Sequence, residues 1–208
     1  MSVWLLATDI TQQLPSSAAT WLLLTLYWLY GCTARVISQY VGYIPANPRL
    51  GIPALRLEDG PSGVADHATK VTKWPGDLHL AAMFDPDLVS AFGAAVAREH
   101  RAKGVSVMLG PGVCLTRVPT GGRNWEYAGE DAFLAYINVR ALVQSVQRGG
   151  VIACAKHFVD NNEEGPGWNG RERMSVNVSE RTQHELYYEP FRGAVDGGAG
   201  AVMVRATW

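Results

Sequence analysis

Apolar residues along this chain fall into two alternating patterns. Short, nearly unbroken apolar runs occur at Ala54-Leu55-Arg56-Leu57, at residues 105–109, at Val151-Ile152-Ala153-Cys154-Ala155 and at Ala201-Val202-Met203-Val204, each opened by a proline or a glycine. Runs of this length between such breakers read as buried strands. Between them apolar positions return every three or four residues. Leu88, Val89, Phe92, Ala95 and Val96 form one such stripe, and Phe133, Leu134, Ile137, Leu142, Val143 and Val146 another. The first stripe is framed by helix signals: Asp85 as N-cap, Pro86 at the first helical position, Asp87 in the first turn, and Lys103-Gly104 at the end. The second spans residues 130–147 and closes at Gly149-Gly150. Ser179 is placed to cap a further helix, which Pro190 has to kink or split.

Alternating strand and helix predict a parallel sheet. Three of the strands start near residues 105, 151 and 201, a regular spacing. Polar, loop-like stretches follow the strands, and no Gly-x-Gly-x-x-Gly turn does, which argues against a dinucleotide-binding open sheet. The expectation is therefore α/β, a (β/α)8 barrel of TIM type. Such a barrel takes about 250 residues, so 208 residues leave room for an incomplete one, roughly the first five units.

The pattern divides the chain into an N-terminal segment, 1–46, and a partial barrel domain, 47–208. Residues 18–32 are mostly apolar but interrupted by Thr20, Thr25 and Gly31. They are too short for a membrane span and lack the basic flank and cleavage site of a signal peptide. They are expected to pack on protein as a helix or an irregular cover. Pro45, Pro48 and Pro53 make an extended connector ahead of the first strand. Composition adds limits: 48% apolar and 18% charged residues exclude bulk disorder. A net charge of −1 argues against nucleic acid and anionic membrane as partners. Cys32, Cys114 and Cys154 have no metal-ligand spacing. Seven Trp and eight Tyr serve either the core or as platforms for sugar rings. Asn177-Val178-Ser179 is a glycosylation candidate, used only in a secreted protein.

Ionisable residues gather where strands end. Residues 151–173 hold the densest group: Lys156-His157 after an apolar run, then Asp160, Glu163 and Glu164, then Arg171. Glu58-Asp59 follows the strand near residue 55, and Arg123 and Glu126 lie in the loop after residue 109. Delivering such groups to loops at strand ends is how a barrel builds a site. Lys156 suits a Schiff-base lysine only as a desolvated, neutral amine, and the neighbouring Asp160, Glu163 and Glu164 are expected to hold it charged. The plainer alternative for Lys156-His157 is an ion pair and a core histidine. Arg123 either grips vicinal hydroxyls with its planar fork or pairs with Glu126 to hold its loop. Asp59 either caps a turn or accepts from a pair of hydroxyls.

These residues also carry a family resemblance. Leu57-Glu58-Asp59-Gly60-Pro61-Ser62-Gly63-Val64 resembles the L-x-D-G-P-x-G-V segment of family 3 glycoside hydrolases. Gly121-Gly122-Arg123-Asn124-Trp125-Glu126 with Gly129-Glu130-Asp131 is similar to that family's G-G-R-N-W-E…E-D motif. Ala155-Lys156-His157-Phe158, Asn162-Glu163-Glu164 and Arg171-Glu172 resemble its K-H-F/Y…N-x-Q-E…R-E motif, and Val202-Met203 looks like the start of its V-M-x-S-Y-N strand. Val159-Asp160-Asn161-Asn162 replaces the P-G-H-G of the β-N-acetylglucosaminidase branch, so the β-glucosidase branch fits better.

The resemblance implies hydrolysis of terminal non-reducing β-D-glucosyl residues with retention, through a glycosyl-aspartate. It implies a β-glucoside or oligosaccharide substrate, no metal or organic cofactor, and a secreted protein. It gives substrate-binding roles to Asp59, Arg123, Lys156, His157 and Arg171. It places no catalytic carboxylate within the chain: the nucleophilic Asp is expected beyond Trp208, and the acid/base in a missing C-terminal part or second domain of the parent. The fit has departures. Arg205-Ala206-Thr207 stand where the family has Ser-Tyr-Asn, and Gly165-Pro166-Gly167-Trp168-Asn169 is extra. The alternatives are a non-catalytic sugar-binding fragment and, more remotely, a Schiff-base aldolase using Lys156.

Overall fold

The computed structural model describes residues 40–65, 68–165 and 175–204. A mixed five-stranded sheet runs in the order β1-β2-β3-β4-β5. Its strands are β1 (Gly42–Ile44), β2 (Leu55–Asp59), β3 (Val107–Leu109), β4 (Ile152–Phe158) and β5 (Ala201–Val204). β2 to β5 are parallel neighbours, each joined to the next through helix. β1 is antiparallel to β2, with Tyr43 opposite Arg56. The prolines after residue 44 lie in the connection between β1 and β2, where Pro48–Leu50 forms a single 3-10 turn. The sheet thus begins ahead of the boundary drawn at residue 46.

The helices are α1 (Asp77–Ala81), α2 (Pro86–Ala102), α3 (Ala132–Arg148), α4 (Glu180–Thr182) and α5 (Tyr188–Asp196). The caps explain where they begin. The Asp85 carboxylate accepts from the Asp87 and Leu88 amides, Asp131 from Leu134, and Ser179 from Thr182. Between α4 and α5 the chain makes a π turn, Gln183–Tyr187, in which the Tyr188 amide donates to the Gln183 carbonyl. Pro190 has no N–H for the Leu186 carbonyl four residues back, and the wide turn just before it is the form the expected interruption takes.

The core lies between the sheet and α2, α3 and α5. Val89, Val96, Met108, Val139, Val143, Val146, Ala153 and Ala155 are buried there. Two glycines let the helices approach. A Cβ at Gly93 would meet Leu142 and Ser145 of α3 at 2.9 Å, and one at Gly193 would meet the Tyr136 carbonyl oxygen at 2.5 Å. Phe158 closes the core against α5, edge-on to Phe191 and stacked on Tyr188.

β4 corrects one expectation. The strand does not stop before Lys156-His157 but runs on to Phe158, and both side chains are buried within it. Residues 18–30 and Cys32 lie outside the described residues. Among the described residues no helix is long and apolar enough to cross a membrane.

Candidate functional site

Parallel strands present their C-terminal ends on one side, and Asp59 is the last residue of β2. Beside it runs the loop that leaves β3 through Gly110-Pro111-Gly112. Lys156 sits in β4 and is tied to this loop by backbone: its amide donates to the Pro111 carbonyl (3.0 Å), and its carbonyl accepts from Val113 (2.7 Å). The loop is itself anchored, because the Gly112 amide donates to Asp77 Oδ2 at 3.2 Å. Asp77 is buried, and burial, with the nearby Glu126 charge, pushes its pKa well above the usual carboxylate range against the pull of Gly112 and Lys156.

From this mounting the Lys156 ammonium reaches Asp59 Oδ1 at 3.1 Å. The lysine side chain is 3% exposed and the aspartate 42%. The pair faces a cleft of about 400 Å³, a volume within the range of small-molecule sites. Arg123 and Glu126 line the same cleft. Arg123 Nε pairs with Glu126 and lies 3.6 Å from Glu164 Oε1. Burial alone would lower the Arg123 pKa, but the hydrogen bond and the charge of Glu126, with Glu164 behind, hold it above its ordinary value. Asp59, Lys156 and Arg123 therefore meet at the strand ends, although 97 residues separate the first two.

His157 is placed differently. It alternates with Lys156 along β4, does not line the cleft, and its Nδ1 lies 3.1 Å from the Tyr127 hydroxyl. That hydroxyl accepts from Asn161 Nδ2 at 2.8 Å, and the same amide also donates to Glu164 Oε1 at 3.0 Å. A continuous polar chain thus runs from His157 through Tyr127, Asn161 and Glu164 to Arg123. Burial is the first cause that pushes Tyr127 well above the ordinary phenol value and Cys114 up to about 11, so neither ionises at neutral pH. The Cys114 thiol donates to the His157 carbonyl at 3.1 Å.

The loop carboxylates expected to hold Lys156 charged are engaged elsewhere. Asp160 accepts from Gln183, Glu163 from the Gly165 amide, and Glu164 from Asn161. Asp59 takes that place. Arg123 is paired with Glu126, as the plainer reading had it, and it also lines the cleft. Arg171 lies outside the described residues, as do residues 166–169 and 205–208. Asn177 is exposed.

Four residues of the site were given no role by the sequence reading. Glu58 is buried, and its Oε1 accepts from the Asp59 amide at 3.1 Å. Asp77, Tyr127 and Asn161 are the others. Tyr127 directly follows the Trp125-Glu126 motif and Asn161 belongs to an adjacent pair of amides, the only signals available; nothing near Asp77 marks it out.

The fold and the cleft together define an α/β protein whose curled mixed sheet, a half-barrel, presents charged and hydrogen-bonding groups at its C-terminal edge. The chain belongs to glycosyl hydrolase family 3, whose N-terminal domain it matches over residues 33–206. It is 39% identical over 183 residues to the probable beta-glucosidase A of Aspergillus terreus, covering 82% of this chain and 21% of that one. A beta-glucosidase of Bacteroides ovatus is 39% identical over 166 residues, 74% of this chain and 22% of its own length. Among solved structures, the beta-D-glucoside glucohydrolase of Trichoderma reesei superposes with a TM-score of 0.76 at 36% identity, covering 81% of this chain and 23% of that one. The beta-glucosidase 3B of Thermotoga neapolitana in complex with glucose gives 0.75 at 35% identity, with 81% and 24% covered. The chain thus spans between a fifth and a quarter of the length of these relatives.

Proposed function

We propose that this chain is the sugar-holding part of a β-glucosidase of family 3, built as the first portion of a TIM-type barrel. The parent reaction releases terminal β-D-glucose with retention, and the chain supplies groups that bind the sugar's hydroxyls. The observation that carries this reading is the Asp59–Lys156 pair at the cleft (3.1 Å), with Arg123 on the same lining. An ionised carboxylate accepts two hydroxyl protons, an ammonium and a guanidinium fork donate to hydroxyl oxygens, and the three in one cleft suit vicinal diols.

Retaining hydrolysis needs two carboxylates about 5–5.5 Å apart across the scissile bond, one as nucleophile and one as acid/base. In the cleft Asp59 is engaged by Lys156, and Glu126 by Arg123. We read Asp59 and Glu126 as binding and positioning groups, and in this reading the reaction's two carboxylates come from other parts of the parent. A secreted parent agrees with the exposed sequon at Asn177. A Schiff-base mechanism is disfavoured because Lys156 is salt-bridged rather than available as a nucleophilic amine.

The test is p-nitrophenyl β-D-glucoside with the purified 208-residue chain. The expected result is binding of glucose with no turnover above solvent background. Turnover abolished by Asp59→Ala would mean that a carboxylate of this chain acts as the nucleophile.

A further inference from the structure

The cleft that holds the Asp59–Lys156 pair is also lined by two residues that this reading leaves without a role, Trp125 and Lys73. Trp125 is the outward member of the 3-10 turn Asn124–Glu126. Glu126 turns inward to Arg123, while the Trp125 side stays 48% exposed. The ring does not sit on a loose loop. Gly76, at the head of α1, is packed so closely that a Cβ there would meet the Trp125 carbonyl oxygen at 2.2 Å and ring atom Cε3 at 3.1 Å.

Lys73 is fixed from its two neighbours. The Thr72 amide donates to Glu99 Oε1 at 2.8 Å, and the Trp74 indole to Glu99 Oε2 at 3.2 Å. The Trp74 amide is held by the Ser62 carbonyl (3.0 Å), and its ring lies edge-on to Phe92 of α2. With residues 72 and 74 tied to Glu99, Lys73 is left to project into the cleft, and its ammonium lies 5.7 Å from the centre of the Trp125 ring. Among the described residues it forms no ion pair.

A half-exposed indole with an ammonium over it that meets no carboxylate among the described residues is a recognition pattern in its own right. The ring stacks on a flat group. The ammonium gains less over the ring than against a carboxylate that approaches from solvent. A neutral planar group has to displace the ammonium from the ring without replacing what it loses, whereas an anionic one keeps it paired. We infer that Trp125 and Lys73 form a second subsite of this cleft, next to the sugar-holding groups, for an aromatic aglycone that carries a carboxylate. The inference rests on the sugar-binding reading above.

The test compares two non-hydrolysable ligands, phenyl β-D-thioglucoside and 4-carboxyphenyl β-D-thioglucoside, titrated into the 208-residue chain by ligand-observed NMR, with glucose as a control. The carboxylated ligand is expected to bind about three- to fivefold more tightly at low salt, the ceiling for a solvent-exposed ion pair. That preference should vanish at 1 M salt and in Lys73→Gln. Trp125→Ala should weaken both glycosides about tenfold, and Trp125→Phe should retain most of the affinity. Equal affinity for the two glycosides, or a preference that survives in Lys73→Gln, overturns the subsite while leaving the sugar reading intact if glucose binds. Failure of glucose and both glycosides to bind overturns the two readings together.

Discussion

The ion pairs of the cleft and those on the outer helices are made from the same side chains but stand in different surroundings. On α4 and the π turn, Arg181 pairs with Glu185 at 2.8 Å with its side chain 83% exposed, and on α5 Arg192 pairs with Glu189. Both arginines and Glu185 stand well out in water and only Glu189 is partly covered (22% exposed), so each pair is worth at most about 1 kcal/mol. In the cleft, Lys156 is an ammonium inside a strand, and among the described residues it pairs with Asp59. A buried charge without its partner is far more expensive than a surface pair is stabilising. The outer pairs decorate helices that packing already holds. The cleft pair keeps a charge in the sheet, and sugar binding is the use we propose for it.

The largest effect follows from this asymmetry. Asp59→Ala leaves the Lys156 ammonium in place without its carboxylate and is expected to destabilise the chain by about 1–3 kcal/mol. That lies below the 3–5 typical of a fully buried pair, because Asp59 itself reaches water. Lys156→Met removes the charge with the shape nearly kept, and should cost less than Asp59→Ala. Urea denaturation of both variants separates them, and the reverse ranking would mean that Lys156 is solvated and that the contrast with the surface pairs is false.

A second effect sharpens the comparison through pH. His100 of α2 is fully buried, its Nδ1 donating to the Val96 carbonyl (2.9 Å), and burial holds its pKa below the ordinary 6.5. The unfolded chain takes up a proton near pH 6.5 that the folded chain refuses. His100 therefore contributes a loss of stability as pH falls from 6.5 through its lower folded value, and His100→Gln should flatten that slope. Asp77 works in the opposite direction. Its folded pKa lies above the ordinary 3.8, so the unfolded chain releases a proton that the folded one retains, and stability falls as pH rises from 3.8. Asp77→Asn keeps an oxygen acceptor for the Gly112 amide and should raise the melting temperature relative to wild type at pH 7 but not at pH 3. An unchanged difference across that interval would show that the fold does not raise the Asp77 pKa.

The smallest effect belongs to the surface. Arg181→Ala and Arg192→Ala should each change stability by less than about 0.5 kcal/mol and leave glucose binding untouched. A larger loss would mean that these helices depend on their pairs.

What could be read from the sequence follows the same division between local and distant causes. The caps at Asp85 and Ser179, the glycine or proline before each parallel strand, and the interruption near Pro190 are set by neighbours in sequence and were legible, whereas the helix expected from residue 130 starts at Ala132, with Asp131 as its cap. β1 was not: Gly42-Tyr43-Ile44 is three residues long and has no alternation of its own, so only its partner strand reveals it. The end of β4 was misplaced because Lys156 and His157 look like surface residues, and their burial depends on Asp59 and Tyr127 from other strands and loops. For the site, Asp59, Arg123 and Lys156 were visible twice, as ionisable residues at strand ends and through the family resemblance. Of the supports, Asp77, Tyr127 and Asn161 act through contacts distant in sequence that no local pattern encodes, and Glu58, which bonds its neighbour's amide, was passed over beside Asp59.

The central claim is that Asp59 and Lys156 hold a sugar. It is tested most directly by titrating isotopically labelled 208-residue chain with glucose, following the amide signals of residues 58–63 and 154–158, in wild type and in Asp59→Asn. The latter keeps the shape of the side chain and removes its charge. The account predicts saturable shifts at both segments in the wild type and at least a tenfold weaker titration in the variant, as expected for the loss of a hydrogen bond from a charged group, worth about 1.5–3 kcal/mol. Glucose that titrates equally well in both proteins, or that shifts neither segment, would contradict it.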